Sequence, residues 1–126
     1  MVPANCSKVH AEIMALSLAQ KRLQTYDPGG PKQPVFELVV NWRPCAMGFG
    51  AVLWSGIGRM KIAGSGPKLE ALTGFDEGTM HRQRPAEPAK RGNTLTEGVL
   101  RRQAVDLFRW FGGSGLIVYN ARQGQM

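Results

Sequence analysis

Two helix starts in this sequence each carry a side chain able to bind a metal. One is His10, in His10-Ala11-Glu12; the other is Cys45, in Pro44-Cys45-Ala46-Met47-Gly48. Between them runs the apolar stretch Val35 to Asn41. A helix, a strand and a helix in that order require a sheet with helices packed against it. Ser7 suits an N-cap, and Val9, Ile13, Leu16, Ala19 or Gln20, and Leu23 recur at helical spacing until Asp27-Pro28-Gly29-Gly30-Pro31. That periodicity predicts a helix from Lys8 to Gln24. Pro44 suits the first position of the next helix, which continues through Val52 and Leu53 to a Gly56 stop. In the strand, Phe36, Leu38 and Val40 share one face and Val39 lies on the other, a pattern that predicts cover on both faces.

The rest of the chain continues the alternation. Arg59 to Ala63 reads as a strand, Pro67 to Leu72 as a short helix, and Gly74-Phe75-Asp76-Glu77-Gly78 as a loop. Thr79 to Asn93 reads as irregular, basic and punctuated by proline. Thr94 to Thr96 predicts a strand, Leu100 to Phe111 an amphipathic helix, and Leu116 to Tyr119 a final strand.

A length of 126 residues bounds the chain to one domain, expected over residues 1–126. With 43% hydrophobic and 20% charged residues, disorder across the whole chain is excluded. The longest uncharged run, Pro44 to Gly58, has 15 residues, against the roughly 20 of a membrane span. With no secretory signal, a cytoplasmic protein is expected. Two cysteines do not make a disulfide scaffold, and a reducing compartment suits a thiolate ligand. The net charge is +7, with Arg82, Arg84, Lys90, Arg91, Arg101 and Arg102 gathered in the second half. No aromatic alternation or helix-turn-helix pattern accompanies that charge, so a solvated basic surface is favoured over a nucleic-acid partner.

An isolated H-x-E is a capping histidine and a first-turn acid favoured by the helix dipole. With Pro44-Cys45-Ala46-Met47-Gly48 downstream, the pair resembles the H-x-E and P-C-x-x-C signature of zinc deaminases, with the last cysteine replaced by Gly48. Asn5-Cys6-Ser7, the text from Glu12 to Gln20, and that from Phe49 to Gly56 look like bacterial guanine deaminases, a branch of the cytidine/deoxycytidylate deaminase-like superfamily. The likeness runs from about Val2 to the end of the chain. It implies a three-layer α/β fold, a mixed sheet with helices on both faces. The family's first helix and two-strand hairpin precede this point and are missing from these residues.

The resemblance also implies roles. His10 and Cys45 would bind zinc, Glu12 would shuttle protons, and Gly48 has no donor atom to offer. Zinc is therefore expected to bind weakly and substoichiometrically. Cys6, four residues before His10, is a conceivable substitute ligand, although its match to the family text implies a different place. Converging helix N-termini would lower the thiol pKa of Cys45. In the Phe75-Asp76-Glu77-Gly78 loop, Glu77 would be a second catalytic acid and Asp76 a contact to the substrate. Tyr119, in the tail Tyr119-Asn120-Ala121-Arg122, would bind substrate; in some members this tail reaches a partner's active site, which implies a homodimer. The implied partner is a small purine base, and no membrane.

The expected function is hydrolytic deamination of guanine to xanthine and ammonia, impaired by the loss of a zinc cysteine. A tRNA adenosine or cytosine deaminase shares the H-A-E and P-C-x-x-C text and would explain the basic charge. A non-catalytic, vestigial binding module is the further alternative. The Gly74 to Gly78 loop and the tail favour the guanine branch.

Overall fold

A computed structural model describes residues 3, 5–79, 86–120 and 124–125. Helix α1 spans Ala11–Leu23, and its N-cap is His10 in extended conformation (φ −87, ψ 158). The sequence expected Ser7 in that role. Instead, Val9 N–H donates to Cys6 O (3.2 Å) and His10 N–H to Lys8 O (2.9 Å), so a tight turn occupies the residues before the helix. Gln24 closes α1 in the left-handed region (φ 53), its N–H bonding back to Lys21 O at 3.3 Å. The following loop packs on the end of the next helix so closely that a Cβ at Gly29 would lie 1.8 Å from Gly56 O.

The central sheet has three strands, β1 (Glu37–Val40), β2 (Arg59–Ile62) and β3 (Thr94–Glu97), in that order and all parallel. Helix α2 (Ala46–Ser55) crosses from β1 to β2. Register pairs Leu38 with Met60 and Met60 with Leu95. Leu38, Val40, Met60 and Ile62 are buried together with Leu16 of α1 and Val52 of α2. The alternate residues Glu37, Val39, Arg59 and Lys61 are exposed. Val39 is 69% exposed, so the expected cover on both faces of β1 is absent among the described residues. An ion pair between Lys61 and Glu37 (3.4 Å) sits on that open face.

Helices α3 (Lys68–Thr73) and α5 (Arg101–Gly112) form a second group around Trp42, Leu69, Ala104, Val105 and Phe108. Trp42, 2% exposed, meets Phe108 edge-on at 5.2 Å and donates from Nε1 to Gly66 O at 3.2 Å. Such aromatic pairs contribute about 0.5–1.5 kcal/mol beyond buried area. Gly112 lets the two helices approach, since a Cβ there would lie 2.0 Å from Leu72 O.

Helix α4 (Glu87–Lys90) falls in the stretch read as irregular. Pro88 stands in its first turn, and Glu87 pairs with both Lys90 and Arg91. The basic residues Arg82 and Arg84 lie outside the described residues. The final strand was expected over Leu116 to Tyr119. Observed are β4 (Tyr119–Asn120) and β5 (Gly124–Gln125), paired antiparallel, with Leu116 and Ile117 exposed. None of the described helices is long and apolar enough to cross a membrane.

Candidate active site

Cys45 is the N-cap of α2 (φ −65, ψ 176), as His10 is of α1. Its sulfur accepts the Gly48 N–H at 3.4 Å, which spends the side chain as a cap and leaves Pro44 outside the helix rather than at its first position. The two caps bring Cys45 Sγ within 3.4 Å of His10 Nδ1. Ligands on one tetrahedral zinc, at bond lengths of about 2.3 Å for sulfur and 2.0–2.1 Å for nitrogen, stand about 3.6 Å apart. The pair therefore has the spacing of two vertices of such a site.

Beside this pair stands Gly48, at the position where the zinc-deaminase signature has its last cysteine. It is buried, and a Cβ there would lie 3.4 Å from Glu12 Oε2 and 3.2 Å from Pro44 Cβ. A side chain at position 48 would thus face the Glu12 carboxylate. Among the described residues no group of three or more His, Cys, Asp or Glu could hold a metal. Cys6 is half-buried and is not brought into such a group. A catalytic zinc takes three protein ligands, so the residues present fit two positions and do not complete the set.

Burial pushes the Cys45 thiol pKa up, against the depression expected from the helix N-terminus. The Gly48 and Met47 N–H groups do pull it down, but desolvation outweighs them, and Glu77 and Glu12 add to the rise. Burial likewise raises Glu77 to about 7, helped by the negative charges of Glu70 and Glu12, while Arg43 opposes and Asp76 adds a little. Arg43 is itself engaged with Glu70 at 2.6 Å.

Glu77 is held through its backbone, its carbonyl accepting the Ala46 N–H of α2 at 3.1 Å. Asp76 Oδ1 accepts the Gly78 N–H at 2.9 Å. The buried Asn120 side chain bonds the same loop at Asp76 N–H and Gly74 O, both at 2.7 Å.

His10, Glu12, Asp76, Glu77 and Tyr119 line one cavity of about 520 Å³, within the range of small-molecule sites. Phe75, Phe108 and Leu69 supply apolar wall, and Lys8, Asn41 and Asn120 supply polar groups that the sequence reading did not single out. Asn41 had a signal: it ends the apolar run of β1, and open α/β sheets bind ligands at the carboxyl ends of their strands. Asn120 had none beyond its place in the tail. The tail residues Ala121 and Arg122 lie outside the described residues.

No family model and no curated protein matches the chain. Solved structures do. Guanine deaminase from Nitrosomonas europaea is 43% identical, over 88% of this chain and 60% of that one, with a TM-score of 0.84. NE0047 in complex with 2,6-diaminopurine is 44% identical, over 96% of this chain and 64% of that one, with a TM-score of 0.86. A variant of NE0047 in complex with 8-azaguanine is 42% identical, over 90% and 62%, with a TM-score of 0.86. The chain spans 60–64% of the length of these structures.

A parallel sheet with helices whose histidine and cysteine caps meet, within such a likeness, is a member of the cytidine-deaminase-like superfamily. The chain belongs to its guanine deaminase branch.

Proposed function

We propose that this chain carries the purine site of a guanine deaminase and that hydrolysis of guanine to xanthine and ammonia is impaired in this form. The observation that carries the reading is the meeting of His10 and Cys45 at 3.4 Å beside a glycine that faces Glu12. The solved neighbours include complexes with 8-azaguanine and 2,6-diaminopurine, which supports a small purine as the ligand here. A cavity with aromatic walls and several polar groups suits a flat, hydrogen-bonding base.

In this reading His10 and Cys45 are the metal ligands, and Glu12 and Glu77 the acids that hold and move protons. A carboxyl with pKa about 7 is poised for proton transfer near neutrality. Asp76 and Tyr119 contact the base. A hydrolytic deaminase draws its hydroxide from a zinc held by three protein ligands. Two are offered here, so zinc is weak and substoichiometric, and turnover falls with it. The free thiols suit a reducing, cytoplasmic compartment. A homodimer is part of the proposal, supported by exposed apolar residues such as Trp54 and Tyr26, both 91% exposed.

The tRNA deaminase and vestigial-module alternatives gain no supporting observation, since the structural neighbours reported above are guanine deaminases.

The test is calorimetric titration of the full chain with 8-azaguanine, alongside ammonia release from guanine. Binding with little ammonia release is expected. No binding at millimolar 8-azaguanine would overturn the purine reading, and robust ammonia release would overturn the impairment.

A further inference from the structure

We infer that Asn120 is a positioning residue, which fixes the acid-bearing loop Gly74 to Gly78 in the purine cavity. The inference rests on the purine reading above and adds to it a residue outside the deaminase signature. Asn120 lies on β4, 4% exposed, and comes to the loop from 44 and 46 residues away in sequence. Its Oδ1 accepts the Asp76 N–H and its Nδ2 donates to the Gly74 carbonyl, each at 2.7 Å. These two backbone groups flank Phe75, so one side-chain amide stands in for a neighbouring strand along this stretch. Few side chains can do this. An amide offers donor and acceptor together, aspartate offers acceptors alone, and leucine neither.

The rest of the loop is tied at its ends. Phe75 N–H donates to Thr73 Oγ1 (3.3 Å), and its ring stacks on Phe111 at 5.6 Å. At the far side the Glu77 carbonyl accepts from Ala46. Asp76 lies between, with its N–H bonded to Asn120. Both acids line the cavity with His10 and Glu12. Without the amide, the Asp76 N–H and the Gly74 carbonyl lose their shown partner, and a part-buried polar group left without one is disfavoured. A loop that moves outward restores them to water. Asp76 then leaves the cavity wall and Glu77 loses its hold there, while the sheet and α2 beyond its first residue, Ala46, keep their own contacts.

The experiment uses the full chain, nitrogen-15 labelled, with Asn120→Ser, Glu77→Gln and the double variant. In the wild type the Asp76 amide should be protected from hydrogen exchange; in Asn120→Ser its exchange should speed by about tenfold or more, with the α2 amides beyond Ala46 unchanged. Affinity for 8-azaguanine should fall by about tenfold in Asn120→Ser, and the same change in a Glu77→Gln background should cost clearly less. An equal loss in both backgrounds marks a general structural role and overturns the inference, as does an Asp76 amide that exchanges freely in the wild type. If Asn120→Ser does not fold, Asn120→Asp replaces it, keeping an acceptor for Asp76 N–H and losing the donor to Gly74. Its affinity should still fall, and wild-type affinity would overturn the inference. Should the wild type fail to bind 8-azaguanine, the purine reading fails, and the exchange data alone decide whether Asn120 holds the loop.

Discussion

Cys45 Sγ stands 3.4 Å from His10 Nδ1 across 35 residues of sequence, each residue capping its own helix. With two donors in place of three, the chain should hold zinc far less firmly than structural sites, whose apparent binding energy is roughly 10 kcal/mol or more. After dialysis, atomic absorption should find well under one zinc per chain. A value near one, tightly held, would show that another donor completes the set.

Gly48→Cys should raise zinc content more than it raises turnover. The new Cβ would lie 3.2 Å from Pro44 Cβ, a contact relieved by a shift of a few tenths of an ångström, and it would face the Glu12 carboxylate. A third protein donor would then stand beside His10 and Cys45, while the chain still spans only 60–64% of its solved neighbours. Zinc content and ammonia release, measured on one preparation, should separate. Full restoration of both would mean that the cysteine alone was limiting.

Much of the fold was legible because it is written locally. The repeats of α1 and α5 and the apolar runs of β1 and β2 place those elements within a few residues. That His10 and Cys45 stand at helix starts was legible for the same reason. What failed depends on the third dimension. Val39 reads like any buried strand residue, yet whether its face is covered is decided by elements elsewhere in the chain. The Cys45 pKa turns on a contest between N–H donors and burial, and sequence shows only the donors. Asn120 meets its partners across more than forty residues, beyond any periodic signal.

Cys45 should react slowly with iodoacetamide. It is 8% exposed and its pKa is raised above the ordinary 9.0, so little of it is thiolate near neutral pH, and the thiolate is the nucleophile. Cys6 is half-buried. Peptide mass spectrometry of a time course should show Cys6 modified well before Cys45 in the folded chain, with the difference lost in urea. Faster labelling of Cys45 would mean that its helix N-terminus outweighs burial after all.

Stability should carry the mark of Glu77. Its folded pKa is about 7 against an ordinary value of 4.5, so between those pH values the native state keeps a proton that the unfolded chain has released. This group's contribution to stability therefore declines as pH rises from 4.5 to about 7 and is level above that. Glutamine resembles the protonated acid at every pH. Glu77→Gln should accordingly gain stability relative to wild type on going from about pH 5 to about pH 8, read as the difference in urea midpoint. A difference that does not change with pH would place Glu77 in water.

Association should follow from surface left uncovered. Trp54 and Tyr26 are each 91% exposed, Val39 is 69% and Leu18 58% exposed. Burying one indole, at about 25 cal/mol per Å² over roughly 150–250 Å², stabilises by roughly 4–6 kcal/mol as an upper estimate. Two copies that each bury one gain roughly twice that, against an association cost of about 4–15 kcal/mol. The balance favours a dimer of modest affinity, despite the +7 charge. Strand β1 adds an edge with no neighbour on one side among the described residues. Light scattering at micromolar concentration should therefore give a mass above that of the monomer. Trp54→Ser and Val39→Lys, each at a site already open to solvent, should lower it. If the wild type is a stable monomer there, the exposed indole and strand face are not what draws two copies together, and the dimer proposed above falls with them.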